Sequence, residues 1–259
     1  MHILFIGDVV GKPGREAVAA LVPELRRKRG VEFVVANGEN SAHGAGLTIS
    51  TVHELLAAGV DVITSGDHTW DQRGFEAEVD RLPQFIRPLN FSPSAPGRGS
   101  TVVNVNGKLP VGVLNIIGRV YMPNNDCPFR AADNEVAKLR RQTNIIIVDF
   151  HGEATSEKIA MGRYLDGKVS AVLGTHTHVQ TSDDQILPGG TAYISDAGMT
   201  GPHDSVLGRD VQAVIRRFLT QMPQKLEVAT GKVELCGVLL DIDDNSGHAR
   251  SIERLRLPV

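Results

Sequence analysis

The chain alternates short apolar runs with stretches in which apolar residues recur at helical spacing. Runs that are apolar throughout are typical of strands covered on both faces, as in α/β proteins. Five such runs are HILFIG (2–7), VEFVVAN (31–37), VDVITSG (60–66), NIIIVDF (144–150) and VSAVLGTH (169–176). The apolar spacing between them predicts helices over 15–28, 51–59, 74–82, 131–141 and 156–167.

Local signals refine these elements. Pro23 inside the first helix predicts a kink or a break, and Thr48 or Ser50 is expected to cap the second helix. The Pro-, Ser- and Gly-rich segment 83–99 is typical of a surface loop, and Asn106-Gly107 predicts a hairpin. Further turn signals at 188–190 and 244–247 interrupt the C-terminal part. The pattern predicts one α/β domain over 1–259, with two packed mixed sheets and helices outside.

The composition is that of an ordinary soluble protein, with 41% hydrophobic and 22% charged residues among 259. A formal charge of -3 excludes a global basic field that would recruit nucleic acid. The basic run at 26–29 is either a local patch or the solvated end of a helix. Two distant cysteines, Cys127 and Cys236, fit reduced thiols. With an N-terminal apolar run interrupted by Asp8 and no membrane-length segment, the sequence favours the cytoplasm.

Polar residues with metal-ligand chemistry follow each of the five apolar runs. They are Asp8; Glu39 and Asn40; Asp67 and His68; His151; and His176 and His178. Ligands of open α/β sheets gather at the carboxyl ends of strands. Five clusters in the same structural position therefore predict one convergent site.

The donor set indicates transition-metal ions. Imidazole suits Zn, Fe, Mn and Ni, whereas carboxylate and amide oxygens suit harder ions. The absence of cysteine from the set argues against a structural zinc site. Glu39 could bridge two ions, and His176 and His178 would share a face if their segment stays extended.

Each cluster also has a simpler interpretation. Asp8 could cap a helix, Glu39 and Asn40 could form a polar turn, and His151 could be a core histidine. These alternatives require five independent coincidences at strand ends, so the convergent metal site is favoured.

Five motifs in this order, GDVVGKPGR, NGENSAHGAGLT, TSGDHTWD, DFHGEATSEK and GTHTHVQT, resemble the calcineurin-like metallophosphoesterases. Among these, the sequence is most similar to the YmdB-like bacterial phosphodiesterases, from Gly7 to about Gly208. The resemblance implies a four-layer α/β/β/α sandwich and a dinuclear centre of iron (Fe²⁺/Fe³⁺) or manganese, with Zn²⁺ or Mg²⁺ as alternatives. It implies His68 as the general acid. The implied metal ligands are Asp8, Glu39 (bridging), Asn40 and His178 for one ion, and Asp67, His151 and His176 for the other.

The sequence departs from the wider pattern twice. Val10 stands where the superfamily has the histidine of Asp-x-His, and Asp67 stands where Asn is usual. Asp67 keeps an oxygen ligand but adds a negative charge, which bears on metal preference and rate.

The implied function is a cyclic-nucleotide phosphodiesterase acting on 2′,3′- or 3′,5′-cyclic forms. Two ions about 3.5–4 Å apart would lower the pKa of a bridging water, and the resulting hydroxide would attack phosphorus. A phosphomonoesterase on the same centre is one alternative, and a regulatory module that binds RNA or an RNA-processing protein around a structural metal site is another. A homo-oligomer is compatible with the sequence. Candidate substrate-binding residues are Ser41, His43, Gly44 and Thr48.

Overall fold

The computed structural model describes residues 1–107 and 109–259. Within these ranges the helices are α1 (Gly11–Arg29), α2 (Ile49–Ala57), α3 (Pro128–Leu139), α4 (Thr155–Leu165) and α5 (Val211–Thr220). The strands are β1 (His2–Ile6), β2 (Asp8–Val9), β3 (Val31–Asn37), β4 (Val62–Thr64), β5 (Ser100–Val105), β6 (Leu109–Ile117), β7 (Ile145–His151), β8 (Ala171–Thr175), β9 (Gln185–Ile186), β10 (Ala192–Ile194), β11 (Met199–Pro202), β12 (Val233–Ile242) and β13 (Ala249–Pro258).

The described strands form two mixed sheets. In the first, β1, β3 and β4 are parallel neighbours, β12 pairs antiparallel with β1 and β11, and β13 forms the edge beside β12. The second sheet has the order β5-β6-β7-β8-β10-β9, with β6, β7, β8 and β10 parallel. The carboxyl ends of β1, β3 and β4 therefore lie at one edge of the first sheet, and those of β7 and β8 at one edge of the second.

The apolar strands are covered on both faces because the sheets pack against each other and against helices. On β1, Ile3 and Phe5 face the second sheet, whereas Leu4 and Ile6 pack among side chains of α1 and α2. Side chains of α3 and α4 cover the outer face of β7 and β8. This explains why the strand sequences lack alternation, and it confirms the four-layer α/β/β/α sandwich.

Several element boundaries differ from the sequence prediction. Helix α1 begins at Gly11, four residues early, and continues through Pro23, so the predicted break there is wrong. The left-handed Gly30 ends it after a basic last turn, as expected for a helix end. The helix predicted over 74–82 is instead two short 3₁₀ turns, Phe75–Ala77 and Val79–Arg81.

Other predictions hold. Thr48 caps α2 by accepting a hydrogen bond from the Thr51 amide, and the hairpin around Asn106-Gly107 joins β5 and β6. The sequence did not predict β2, β11 or α5, because the first two are short and α5 buries only Val214. Among the described residues, no helix has the length and apolarity needed to cross a bilayer.

Candidate metal centre

The five predicted polar clusters meet at one place, where the carboxyl edges of the two sheets face each other. Asp8 follows β1 and Asp67 follows β4, while His151 is the last residue of β7. The register places His151 opposite Thr175, the last residue of β8, so the segment of His176 and His178 begins beside it. Parallel pairing therefore aligns the clusters, as the strand-end argument predicts.

Four of the predicted ligands form a compact group. One donor atom each of Glu39, Asp67, His151 and His176 lies within 4.8 Å of the others. His151 Nε2 is 3.0 Å from Asp67 Oδ1, 3.3 Å from Glu39 Oε1 and 3.0 Å from His176 Nδ1. Two imidazole nitrogens and two carboxylates therefore converge on one point.

The other three predicted ligands lie beside this group. Asn40 Nδ2 is 3.0 Å from Glu39 Oε1 and 3.3 Å from His178 Nε2. His178 Nε2 is in turn 3.9 Å from Asp8 Oδ1. Glu39 thus stands between a group with Asp67, His151 and His176 and a group with Asp8, Asn40 and His178, which is the division that the family resemblance implies.

A buried network fixes the orientation of His151. Its Nδ1 lies 2.9 Å from Thr175 Oγ1, and Thr175 donates to Asp149 Oδ1 at 2.7 Å. Asn37 Nδ2 and the Thr64 hydroxyl both donate to Asp149 Oδ2. Fixing Nδ1 in this way aims Nε2 at the cluster, as supporting hydrogen bonds do for histidine ligands.

The segment after β8 is not extended, so the prediction that His176 and His178 share one face of an extended segment is wrong. His176 and His178 have φ values of 98° and 65° and reach different halves of the site through this turn. The buried ion pair between Lys158 and Asp196 supports the turn, because Asp196 Oδ2 accepts from both Lys158 and the Thr177 amide. The His176 amide also donates to Asp8 Oδ2 at 3.1 Å.

Burial, mutual repulsion and hydrogen bonds change the pKa values of the carboxylates at this centre. Burial, with the charge of Asp196, raises the pKa of Asp8 to about 7. Burial and the charges of Asp67 and Asp8 raise the pKa of Glu39 well above its usual range. Burial alone would raise the pKa of Asp67, but hydrogen bonds from His151 and His176 outweigh it and lower that pKa far below its usual range.

Burial alone would lower the pKa of His176, but the hydrogen bond and the charge of Asp67 outweigh it and raise that pKa. The other two imidazoles of the centre have lowered pKa values. Burial lowers the pKa of both His151 and His178 to about 4, so both rings are neutral at pH 7 and keep a free lone pair. A neutral imidazole is the form that binds a metal ion.

The residues fit a cation. Asp8 Oδ1 is fully buried and has no hydrogen-bond partner among the described residues. Such an atom is costly unless a ligand satisfies it. Buried carboxylates beside the neutral imidazoles of His151 and His178 favour a divalent or trivalent ion with nitrogen and oxygen ligands.

We expect the stabilisation by a divalent cation such as Mn²⁺ to grow between pH 6.5 and 8. Because the pKa of Asp8 is raised, its contribution to stability is fully present below its unfolded value of 3.8 and is lost as the pH rises through about 7. His151 and His178 stay neutral in the folded protein over this window, because their pKa values are lowered to about 4. The cation restores the lost stability by taking the place of the proton.

Thermal unfolding with Mn²⁺ and with chelator measures this effect. At a hundredfold excess over the dissociation constant, the gain at pH 8 should reach about 5–10 °C. Asp8→Asn, which cannot titrate, is the control and should flatten the pH dependence. A gain that stays constant from pH 6.5 to 8 in the unmodified protein would contradict the assignment.

His68 lies at the mouth of the centre, with 40% of its side chain exposed. Its Nδ1 is 2.8 Å from Asp71 Oδ2, and its backbone amide donates to Glu39 Oε2. Asp71 therefore orients the ring. Trp70 packs against Phe75 and Phe91, with ring centroids 6.5 and 6.4 Å apart, so it is a packing residue.

The predicted substrate loop contributes less than expected. Of its four candidates, Gly44 lines the cavity in front of the centre. Ser41 is buried and donates to the Thr51 hydroxyl, and Thr48 caps α2. The exposed His43 contributes its carbonyl, which accepts from Arg209. The Ser41 and Thr48 hydroxyls thus hold the loop itself.

Two residues that sequence reasoning missed line the same cavity of about 310 Å³. Arg209 donates to the carbonyls of His43 and Gly44, which brings a half-buried positive charge beside the centre. Glu153 Oε2 is 3.1 Å from His176 Nε2. Glu153 lies within the DFHGEATSEK motif, which was a usable signal, whereas nothing local in the sequence marks Arg209.

A second group with metal-ligand chemistry, formed by His203, Glu234 and Cys236, has donor atoms within 4.8 Å of one another. Its electrostatics do not fit a cation. Glu234 is engaged by Arg256, with Lys232 3.9 Å away. Burial raises the pKa of the Cys236 thiol to about 11, so it does not supply a thiolate.

Known proteins resemble this chain in sequence and in fold. Residues 4–255 match the family described as YmdB-like protein. A 2′,3′-cyclic-nucleotide 2′-phosphodiesterase from Bacillus subtilis (strain 168) is 51% identical over 255 residues, 98% of this chain and 96% of that protein. A hypothetical protein from Thermus thermophilus superposes with a TM-score of 0.93 at 40% identity, covering 100% of this chain and 99% of that chain. A novel phosphatase from Mycoplasma pneumoniae gives a TM-score of 0.92 at 36% identity, covering 100% of this chain and 93% of that chain.

Proposed function

The chain belongs to the YmdB-like protein family, and on this basis we propose that it is a metal-dependent phosphodiesterase that hydrolyses 2′,3′-cyclic nucleotides. The observation that carries the proposal is the convergence of carboxylates and imidazoles beneath an open cavity that His68 also lines. The name of the Bacillus relative supports the 2′,3′-cyclic substrate over a 3′,5′-cyclic one.

We assign the metal ligands in two sets that share Glu39. Asp8, Asn40 and His178 form one set, and Asp67, His151 and His176 form the other. Iron or manganese suits this mixture of nitrogen and oxygen donors. Two ions account for the compact cluster and also for Asp8 Oδ1, which lies apart from it and has no hydrogen-bond partner among the described residues. When bound, such ions neutralise phosphate charge and activate water near neutral pH.

The reaction breaks one P–O bond and needs one proton at the leaving oxygen. Water oxygen forms a new bond to phosphorus while the bond to the ribose 2′ oxygen breaks, and His68 Nε2 donates the proton to that oxygen. Asp71 holds the other ring nitrogen and so positions Nε2. Arg209, at the cavity wall, attracts the anionic phosphate.

Positioning residues around the centre keep the ligands in place. Thr175 and Asp149 fix the His151 ring, and Glu153 lies against His176. The ion pair of Lys158 and Asp196 holds the turn that carries His176 and His178. Residues that hydrogen-bond to metal ligands in this way set both the metal affinity and the orientation of the ligands.

The test combines metal analysis with a substrate panel. Protein purified without chelator should contain about two equivalents of iron or manganese, by elemental analysis. It should hydrolyse 2′,3′-cyclic AMP to the 3′-monophosphate and act more slowly on 3′,5′-cyclic AMP and on 4-nitrophenyl phosphate. Metal-loaded protein that cleaves the monoester and neither cyclic nucleotide would establish the phosphomonoesterase instead.

A regulatory role without catalysis is not favoured, because every predicted ligand position keeps a donor side chain that points into the site. The two free cysteines, Cys127 and Cys236, support a cytoplasmic location.

A further inference from the structure

A second cavity of about 510 Å³ adjoins the metal centre. His178 and Leu207 line both cavities, so the two lie next to each other on either side of these side chains. A volume of this size is in the range of small-molecule sites and exceeds what a phosphate alone requires. A substrate phosphate at the metal centre would therefore leave the rest of the molecule beside a preformed space.

The cavity is cationic. Arg254 and Arg256 line it, and among the described residues none of its lining side chains is a carboxylate. The carboxylates that hold the two guanidiniums lie outside the lining: Arg254 Nε is 2.6 Å from Asp184 Oδ1, and Arg256 Nε donates to Glu234. A guanidinium has five N–H donors, and one carboxylate does not exhaust them. Each arginine is thus anchored and still able to bind an anion.

The remaining walls suit a nucleoside. Val179 and Leu207 are 60% and 50% exposed, so they offer apolar surface against which a base can pack. Gln180 and His203 add polar groups. The cavity therefore has apolar walls close to the metal centre and a pair of positive charges.

We propose that this cavity binds the nucleoside and the 5′-phosphate of a ribonucleotide whose 2′,3′-cyclic phosphate lies at the metal centre. This inference rests on the proposed function and names its substrate class, a cyclic phosphate that carries a second phosphate on the 5′ side. That chemistry has two sources: a 5′-phosphorylated mononucleotide and the 3′ end of an RNA fragment.

The strand that carries the arginines provides a matched control. Arg254 and Arg256 lie at alternate positions of β13 and so share one face, whereas Arg250 lies where the pairing of β13 with β12 shifts register. Arg250 pairs with Asp241 and Asp243 and does not line the cavity. At about 3.3 Å per residue it is about 13 Å from Arg254 along the strand. Arg250→Gln removes the same charge from the same strand outside the site.

The experiment compares kcat/KM for adenosine 2′,3′-cyclic phosphate, its 5′-phosphorylated form and the dinucleotide ApA with a terminal 2′,3′-cyclic phosphate. The 5′-substituted substrates should be preferred by about tenfold or more, the effect expected of one charge-assisted hydrogen bond. Arg254→Gln and Arg256→Gln should bring this ratio close to one, and Arg250→Gln should keep it. Preference for both forms identifies the phosphate as sufficient, and preference for ApA alone identifies the RNA end.

A binding measurement separates this inference from the proposed function. By calorimetry, adenosine 3′,5′-bisphosphate should bind the metal-loaded protein at least about tenfold more tightly than adenosine 3′-monophosphate. This measurement uses the unmodified protein, so it remains valid even if a variant fails to fold. Equal affinities, or equal kcat/KM values for all three substrates, would overturn the inference and leave the phosphodiesterase intact. No hydrolysis of any cyclic phosphate would overturn the phosphodiesterase, and the calorimetry would still decide the inference.

Discussion

Gly66→Ala is expected to abolish metal binding while the fold is retained. A Cβ at residue 66 would overlap Glu39 Oε2 and His151 Nε2, two of the atoms assigned as ligands. Both side chains are buried in a close-packed edge and have no space into which to move. Gly66 does not have a left-handed φ, so alanine adds no backbone strain there. Bound metal should fall close to zero, and kcat/KM on a cyclic nucleotide should fall by at least about 10³.

Gly152→Ala is the matched control. It adds the same methyl group one residue after His151, where the nearest atom to the new Cβ, in the Phe150 ring, is at an ordinary contact distance of 3.4 Å. This variant should keep its metal and its activity. Elemental analysis, with circular dichroism to confirm the fold of both variants, makes the comparison. Normal metal content in folded Gly66→Ala protein would show that the ligands lie elsewhere.

The sheet and the position of the site could be predicted because both follow from strand patterning. Polar residues cluster where an apolar run buried on both faces ends, so Asp8, Asp67 and His151 mark the edge at which parallel strands finish. The sequence could not say how the last cluster reaches the site. His176 and His178 do so through positive φ values, which histidine adopts infrequently and which the turn imposes through Asp196.

The supporting residues were missed for a related reason. Asp149 lies inside an apolar run and Lys158 inside a helix, and each is buried only because of partners distant in sequence. Arg209 reaches the metal cavity through carbonyls of the loop at 43–44, more than 160 residues earlier. Such contacts depend on tertiary packing, which local pattern and spacing do not encode. The short β2 and β11 strands are likewise defined by their pairing with each other.

His68→Ala is expected to lower kcat on a 2′,3′-cyclic nucleotide by about 10²–10⁴, the usual contribution of a general acid. Metal content should stay near normal, because Asp71 holds His68 Nδ1 and His68 Nε2 is 4.0 Å from Asp67 Oδ2, farther than the spacing of the donor atoms around His151. The loss should be much smaller on bis(4-nitrophenyl) phosphate, whose nitrophenolate leaves without needing a proton. The two substrates therefore separate proton donation from every other role of the ring.

Asp71→Asn is expected to lower activity on the cyclic nucleotide less than His68→Ala does. The amide side chain of this variant would still meet the ring but would lack the carboxylate that accepts from Nδ1, so Nε2 would be held less firmly toward the leaving oxygen. We expect a loss of about 10–100-fold on the cyclic nucleotide, the range for a partner that orients a functional histidine, with little change on the nitrophenyl diester. The side chain of His68 is 40% exposed, so neither substitution should disturb the core. Equal losses on both substrates, or loss of metal from His68→Ala, would identify His68 as a ligand or a binding group, and the proton donor would then have to be sought elsewhere in the cavity.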